Sequence, residues 1–166
     1  MAQKALEDLF YDMLKDVYYA ERKIAKTLPK MMRGAQDAKL KQAFETHREE
    51  TEGQIERLQK VFEIFGKRAV GKTCAAIEGI IEEGEEILDE FKGSPAIDAG
   101  LLATAQAVEH YEIARYGTLK TWAGLLGLDE AVKLLDQTLQ EEGKTDELLT
   151  QLAETAVNKT ALGKAA

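Results

Sequence analysis

In the stretch AVEHYEIARYGTL, residues 107–119, Glu109 and Glu112 stand three positions apart, the spacing that sets two side chains on one face of a helix. The apolar residues around them, Leu102, Ala105, Tyr116, Leu119 and Ala123, recur at steps of three and four and trace a stripe for burial. Both carboxylates fall on that stripe. Carboxylates taken out of water repel each other and are costly to desolvate, so a helix tolerates them there only if cations or shared protons compensate. Glutamates one turn apart are also suited to chelating or bridging divalent metals.

The same pattern recurs elsewhere in the chain. One stripe runs through Leu6, Phe10, Met13, Val17, Glu21, Ile24 and Leu28, with Glu21 its single ionisable member. A second runs through Leu40, Phe44, His47, Glu50, Gln54, Leu58, Val61 and Phe65, and the last through Ala131, Leu135, Leu139, Glu142, Asp146, Leu149 and Ala153. Any one such glutamate is explained by a slightly rotated helix whose carboxylate reaches water. Four coincident cases, each near mid-helix, place the acidic positions in one layer of a bundle. Two divalent metals would neutralise four charges. Oxygen-rich ligation with one imidazole suits iron or manganese better than zinc.

The neighbouring residues have weaker claims. His47 lies on its stripe, where it would bind metal or hydrogen-bond a ligating carboxylate. Asp146, one turn after Glu142, is a further candidate oxygen ligand, and His110 falls one position off the stripe. Gln54 reads as a core hydrogen-bonding residue or a partner to a ligand. Tyr18, Tyr111 and Tyr116 read as half-buried packing aromatics that could also donate to the centre.

Five helices must position these residues. Gly34 stops the first; Asp37 caps a second that runs to Gly66; Thr73 caps a third ending at Gly93; and Ser94-Pro95 opens a fourth ending at Gly127. Asp129 caps a fifth, continuing to about Val157. Pro29 is expected to kink or end the first helix near Leu28 and leave KMMRG as an irregular turn. The expectation is an all-α, four-helix bundle with an additional helix in the crossover between bundle helices two and three, as a single domain over residues 1–158 with a mobile tail over 159–166. The crossover helix, EGIIEEGEEILDEF, has an apolar stripe and an acidic face expected to be solvated; its position also makes it a candidate homodimer surface.

Composition bounds the function. With 166 residues the chain is long enough to build a core without a metal or disulfide. Its 22 Lys and Arg against 30 Asp and Glu give a net charge of −8, which disfavours nucleic acid and anionic membrane surfaces. No uninterrupted apolar run is long enough to span a bilayer, and the N-terminus MAQKALEDLFYDML lacks the features of a signal peptide. The single Cys74 fits a reducing cytoplasm, where a lone thiol packs as a small apolar side chain.

The segments HREETEGQIERL, CAAIEGIIEE, VEHYEIARYGTL and LQEEGKTDELL resemble the YciF-like family of bacterial stress proteins, within the ferritin-like superfamily and related to rubrerythrin. The resemblance runs from the first helix nearly to the C-terminus. It implies a ferritin-like bundle with a dinuclear metal centre, two iron or manganese ions per chain. Carried over residue by residue, the rubrerythrin pattern implies ligands at Glu21, Glu50, Glu109, Glu112 and Glu142, the same positions the stripes select. The chain departs from that pattern in its imidazoles: His47 precedes Glu50, and Glu142 is followed by Thr145 and Asp146 where Glu-x-x-His would stand.

The expected function is a cytoplasmic, homodimeric stress protein whose metal centre reacts with peroxide or dioxygen, or oxidises or sequesters ferrous iron. The expected metal-ligating set is Glu21, His47, Glu50, Glu109, Glu112, Glu142 and Asp146. The competing expectation, favoured by the low histidine content, is a non-catalytic helical protein that binds a partner and keeps a weak or vestigial metal site.

Overall fold

A computed structural model describes residues 3–163. Its elements are α1 (Leu6–Gly34), α2 (Ala38–Ile64), α3 (Ala75–Glu90), α4 (Ile97–Leu125) and α5 (Asp129–Leu152), followed by a π-helical turn, Ala153–Val157, and the short α6 (Asn158–Ala161). Helices α1, α2, α5 and α4 pack around a common core as a four-helix bundle. The crossover helix α3 lies outside it against α4 and α1. Helical structure thus persists to Ala161, and residues 164–166 of the expected tail lie outside the described residues.

Local chemistry accounts for the boundaries. Asp37 accepts the Leu40 amide at 2.9 Å and caps α2 as expected. Asp98 strengthens that corner from α4, its two carboxylate oxygens accepting the Gln36 and Asp37 amides at 2.7 and 2.8 Å. The chain leaves α2, α3 and α4 through Gly66, Gly93 and Gly127 at φ of 73–74°, a left-handed conformation that costs glycine least.

Three boundary expectations are corrected. Pro29 does not end α1, which continues unbroken to Gly34. Leu28, Met31 and Ala35 are buried in the core on either side of the proline, and that burial offsets the lost hydrogen bond. Thr73 does not cap α3; Cys74 holds that position, with no side-chain bond to the helix. Asp129 is the first residue of α5 and not its cap, adding negative charge to the N-terminal turn. At the start of α4, Ser94 Oγ does accept the Ala96 amide at 3.0 Å, although the helix begins only at Ile97.

Three glycines let α3 approach the bundle closely, among them Gly100 of α4, where a β-carbon would stand 2.6 Å from Ile87 Cγ2. A β-carbon on Gly34 would stand 2.2 Å from Leu88 Cδ2, and one on Gly84 would stand 2.7 Å from Thr104 Cγ2. Lys23 and Tyr19 of α1 both reach Glu78 of α3, the lysine at 3.1 Å. The glutamates at 82, 83, 86 and 90 are exposed, so the acidic face of α3 is solvated as its sequence implies.

The apolar core is divided in two. One cluster gathers Ile24, Leu28, Phe44, Leu101 and Leu149; the other gathers Phe10, Val17, Leu58, Phe62, Leu119 and Leu135. Each bundle helix passes from one cluster to the other, and the acidic positions occupy the layer between them.

Candidate metal centre

Each long helix supplies one level of this middle layer. On α1, Glu21 lies between Val17 and Ile24; on α4, Glu109 and Glu112 lie between Val108 and Tyr116. On α2 the buried positions are His47, Thr51 and Gln54, and on α5 they are Thr138 and Glu142. His47, Glu109, Glu112 and Glu142 each present one ligand atom within 4.8 Å of the others, and all four are buried. Glu21, fully buried and outside that group of four, lies against Glu112, and its Oε1 accepts the Tyr116 hydroxyl.

Two residues of the sequence-derived set stand apart from this group. Glu50 is half-buried and accepts the Thr145 hydroxyl at 3.3 Å. Asp146 faces the α4–α5 surface, 3.1 Å from Nε2 of the exposed His110 and 3.3 Å from Gln106 Nε2. Gln54 takes the role of partner to a carboxylate: its amide donates to Glu142 Oε1 and, at 3.2 Å, to Glu141. Sequence reasoning missed Arg57, which grips Glu141 through both terminal nitrogens beside the centre. Its exposed-face spacing gave no signal of that.

The electrostatics of the layer are those of crowded carboxylates without a counter-charge. Burial, reinforced by the Glu142 charge, pushes the Glu21 carboxyl up to about 8 despite the hydrogen bond from Tyr116. Glu109 and Glu112 are raised well above the usual carboxylate range, first by burial and then by Glu142. The same burial lowers the His47 pKa, so the imidazole is neutral at pH 7 and has a lone pair to give. Its Nδ1 is 3.2 Å from Glu109 Oε1 but not aligned for a hydrogen bond. Arg57, the cation nearest in effect, is already committed to Glu141.

The donor set fits a divalent metal. Among the described residues nothing hydrogen-bonds to either oxygen of Glu112, to Oε2 of Glu21, Glu109 or Glu142, or to His47 Nδ1, and all these atoms are buried. Buried polar atoms are rarely left without partners, and so many lone pairs directed into one small volume are compensated by protons or by cations. Four carboxylates and one neutral imidazole are hard, oxygen-rich ligands of the kind iron and manganese take.

Residues 5–162 match the family described as Domain of unknown function (DUF892). The chain belongs to that family. It is similar to Protein YciF of Escherichia coli (strain K12), with 47% identity over 166 residues, which cover 99% of this chain and 100% of that one. The crystal structure of the E. coli stress protein YciF superposes with a TM-score of 0.89 at 47% identity, covering 95% of this chain and 99% of that one. YcfI from Rhodopseudomonas palustris gives 0.86 at 46% identity, covering 89% and 94%. The DUF892 bundle of this chain is therefore that of the YciF-like stress proteins, with a buried His/Glu group that could hold a metal.

Proposed function

We propose that this DUF892 protein carries a carboxylate-bridged dinuclear iron or manganese centre and uses it on peroxide, dioxygen or ferrous iron, as part of a bacterial stress response. The observation that carries the reading is the set of buried lone pairs on Glu21, His47, Glu109, Glu112 and Glu142 that find no donor outside the group itself. A bound pair of such metals would supply Lewis acidity and a change of oxidation state.

The chain's own part is to hold and orient. Glu112 would offer both of its oxygens to the metals, whereas Tyr116 fixes Glu21 and Gln54 fixes Glu142 through one oxygen each and would leave the other to bind. His47 offers the one nitrogen. The two apolar clusters above and below keep bulk water from the layer and so strengthen every interaction inside it. The resemblance to rubrerythrin-type bundles supports the same assignment.

Occupancy tests it directly. Protein purified without chelator and reconstituted anaerobically with ferrous iron should hold about two metals per chain, as a two-metal carboxylate centre requires. Elemental analysis that finds none, after iron and manganese have both been offered, would remove the metalloprotein reading in favour of a partner-binding role. Repeated consumption of peroxide or dioxygen by the loaded protein would mark an enzyme; a single stoichiometric round would mark sequestration.

The proposed compartment is the cytoplasm, supported by the free, buried Cys74; no described helix is long and apolar enough to cross a membrane. The proposed assembly is a homodimer through α3. Two copies meeting there would bring rows of exposed glutamates together, so association should strengthen as salt rises from low to physiological concentration. Sedimentation at two ionic strengths measures this, and salt-independent dimers would move the contact off α3.

A further inference from the structure

A cavity of about 30 Å³ lies between α3 and the bundle, and its inner end is formed by His47 and Glu109. Its walls are otherwise mostly hydrocarbon, with Leu28 from α1, Leu88 from α3, and Ala105 and Val108 from α4. The three threonines that border it direct their hydroxyl protons elsewhere. Thr27 donates to the Lys23 carbonyl at 2.9 Å, Thr104 to the Gly100 carbonyl at 3.2 Å, and Thr145 to Glu50 at 3.3 Å. Glu85, on the outer side, is exposed and paired with Lys30 at 3.0 Å.

From this lining we infer that the cavity is a binding site for a small apolar gas, and that it selects dioxygen over peroxide as the oxidant reaching His47 and Glu109. The selection follows from desolvation. Peroxide is a donor and acceptor at both ends and would shed its water against walls that are almost all hydrocarbon, meeting free acceptors only at the inner end in His47 and Glu109, whereas dioxygen loses no hydrogen bonds on entry. The volume is enough for a ligand of one or two heavy atoms and too small for a hydrocarbon chain. The delivery role rests on the metal reading above; the gas site itself does not.

Xenon separates the two. Metal-free protein crystallised and pressurised with xenon should show one atom in this cavity, and the xenon-129 resonance should shift on titration with protein. Ala105→Leu, which fills the cavity, should weaken xenon binding about tenfold or more, while Leu28→Ala, which enlarges it, should tighten binding. The enlarged variant decides the matter if the filled one does not fold. No xenon in wild type or in Leu28→Ala overturns the gas site whatever the metal content.

In loaded protein, Ala105→Leu should slow reaction with dioxygen about tenfold and leave reaction with peroxide unchanged; equal slowing of both overturns the selection. Xenon binding in a chain that takes up no metal would overturn the metal reading, and the delivery role with it. Xenon absent from a chain that does bind metal would overturn only the cavity's role.

Discussion

Freed of metal, the protein should lose stability as the pH climbs from about 4.5 to about 8, and bound metal should abolish that loss. Glu21 titrates near its ordinary 4.5 in the unfolded chain and near 8 in the folded one, so across this interval the folded state holds a proton that the unfolded state has released. The stability tied to that proton is complete below about 4.5 and is lost as the pH rises through the folded value. A shift of this size corresponds to roughly 5 kcal/mol for Glu21 alone. Glu109 and Glu112 are displaced in the same direction, with protons shared across the group.

Below about pH 4 the trend should turn over, because exposed carboxylates held by cations, such as Asp12 beside Lys72 and Lys15, then protonate. Divalent metal replaces the shared protons and binds only the folded chain, so it should raise stability most at the alkaline end. Urea titrations at pH 5.5 and pH 8, with and without ferrous iron or manganese, measure all of this. A metal-free protein equally stable at both values would mean that the carboxylates are hydrated and do not converge.

Much of this layer was legible because carboxylates on an apolar stripe are conspicuous. On α4 the sequence places Glu109, Glu112 and Tyr116 on the buried face, and the structure agrees. Of the two residues that stand apart, Asp146 is drawn to His110 and Gln106 on the surface, and Glu50 is displaced by the step of its helix. On α2 the buried line runs His47, Thr51, Gln54, Leu58, so the step after His47 is four residues and not three. On α5 it passes through Thr138 and Glu142, with the half-buried Leu139 beside it.

Both steps satisfy a helical stripe, and a threonine looks polar enough to be passed over. Thr51, however, spends its hydroxyl on the His47 carbonyl at 2.7 Å and can then be buried as a branched apolar side chain. Glu50 has no such internal partner and rotates toward Thr145 at the edge of the layer. Pro29 misled for a related reason: local backbone rules mark a break there, but the burial of Leu28 and Met31 is a tertiary effect that the local rule does not weigh. The bonds from Gln54 to Glu142 and from Tyr116 to Glu21 depend on how neighbouring helices are set against each other, so their residue types were visible in the sequence and their partners were not.

That contrast between Glu112 and Glu50 gives the sharpest mutational test. Glu112 is fully buried with both oxygens unsatisfied, whereas Glu50 is half-buried with a hydroxyl partner. Glutamine resembles the protonated acid. At pH 5.5, the side toward which burial favours the protonated Glu112 carboxyl, Glu112→Gln should therefore leave the metal-free protein nearly as stable as before. At pH 8, where the wild type must leave a proton on the group or bury a charge, the variant should be more stable by about 1–2 kcal/mol. Its metal affinity should fall at least about 100-fold, since losing even a partner of a ligand costs 10–100-fold and this change removes a ligand itself. Glu50→Gln should change metal-free stability by less than about 0.5 kcal/mol, with metal stoichiometry unaltered. Paired melts at the two pH values and competitive metal titrations read both variants. If Glu50→Gln proves the more damaging to metal binding, the centre is built around α2 and not α4, and the group formed by His47, Glu109, Glu112 and Glu142 is not the ligand set.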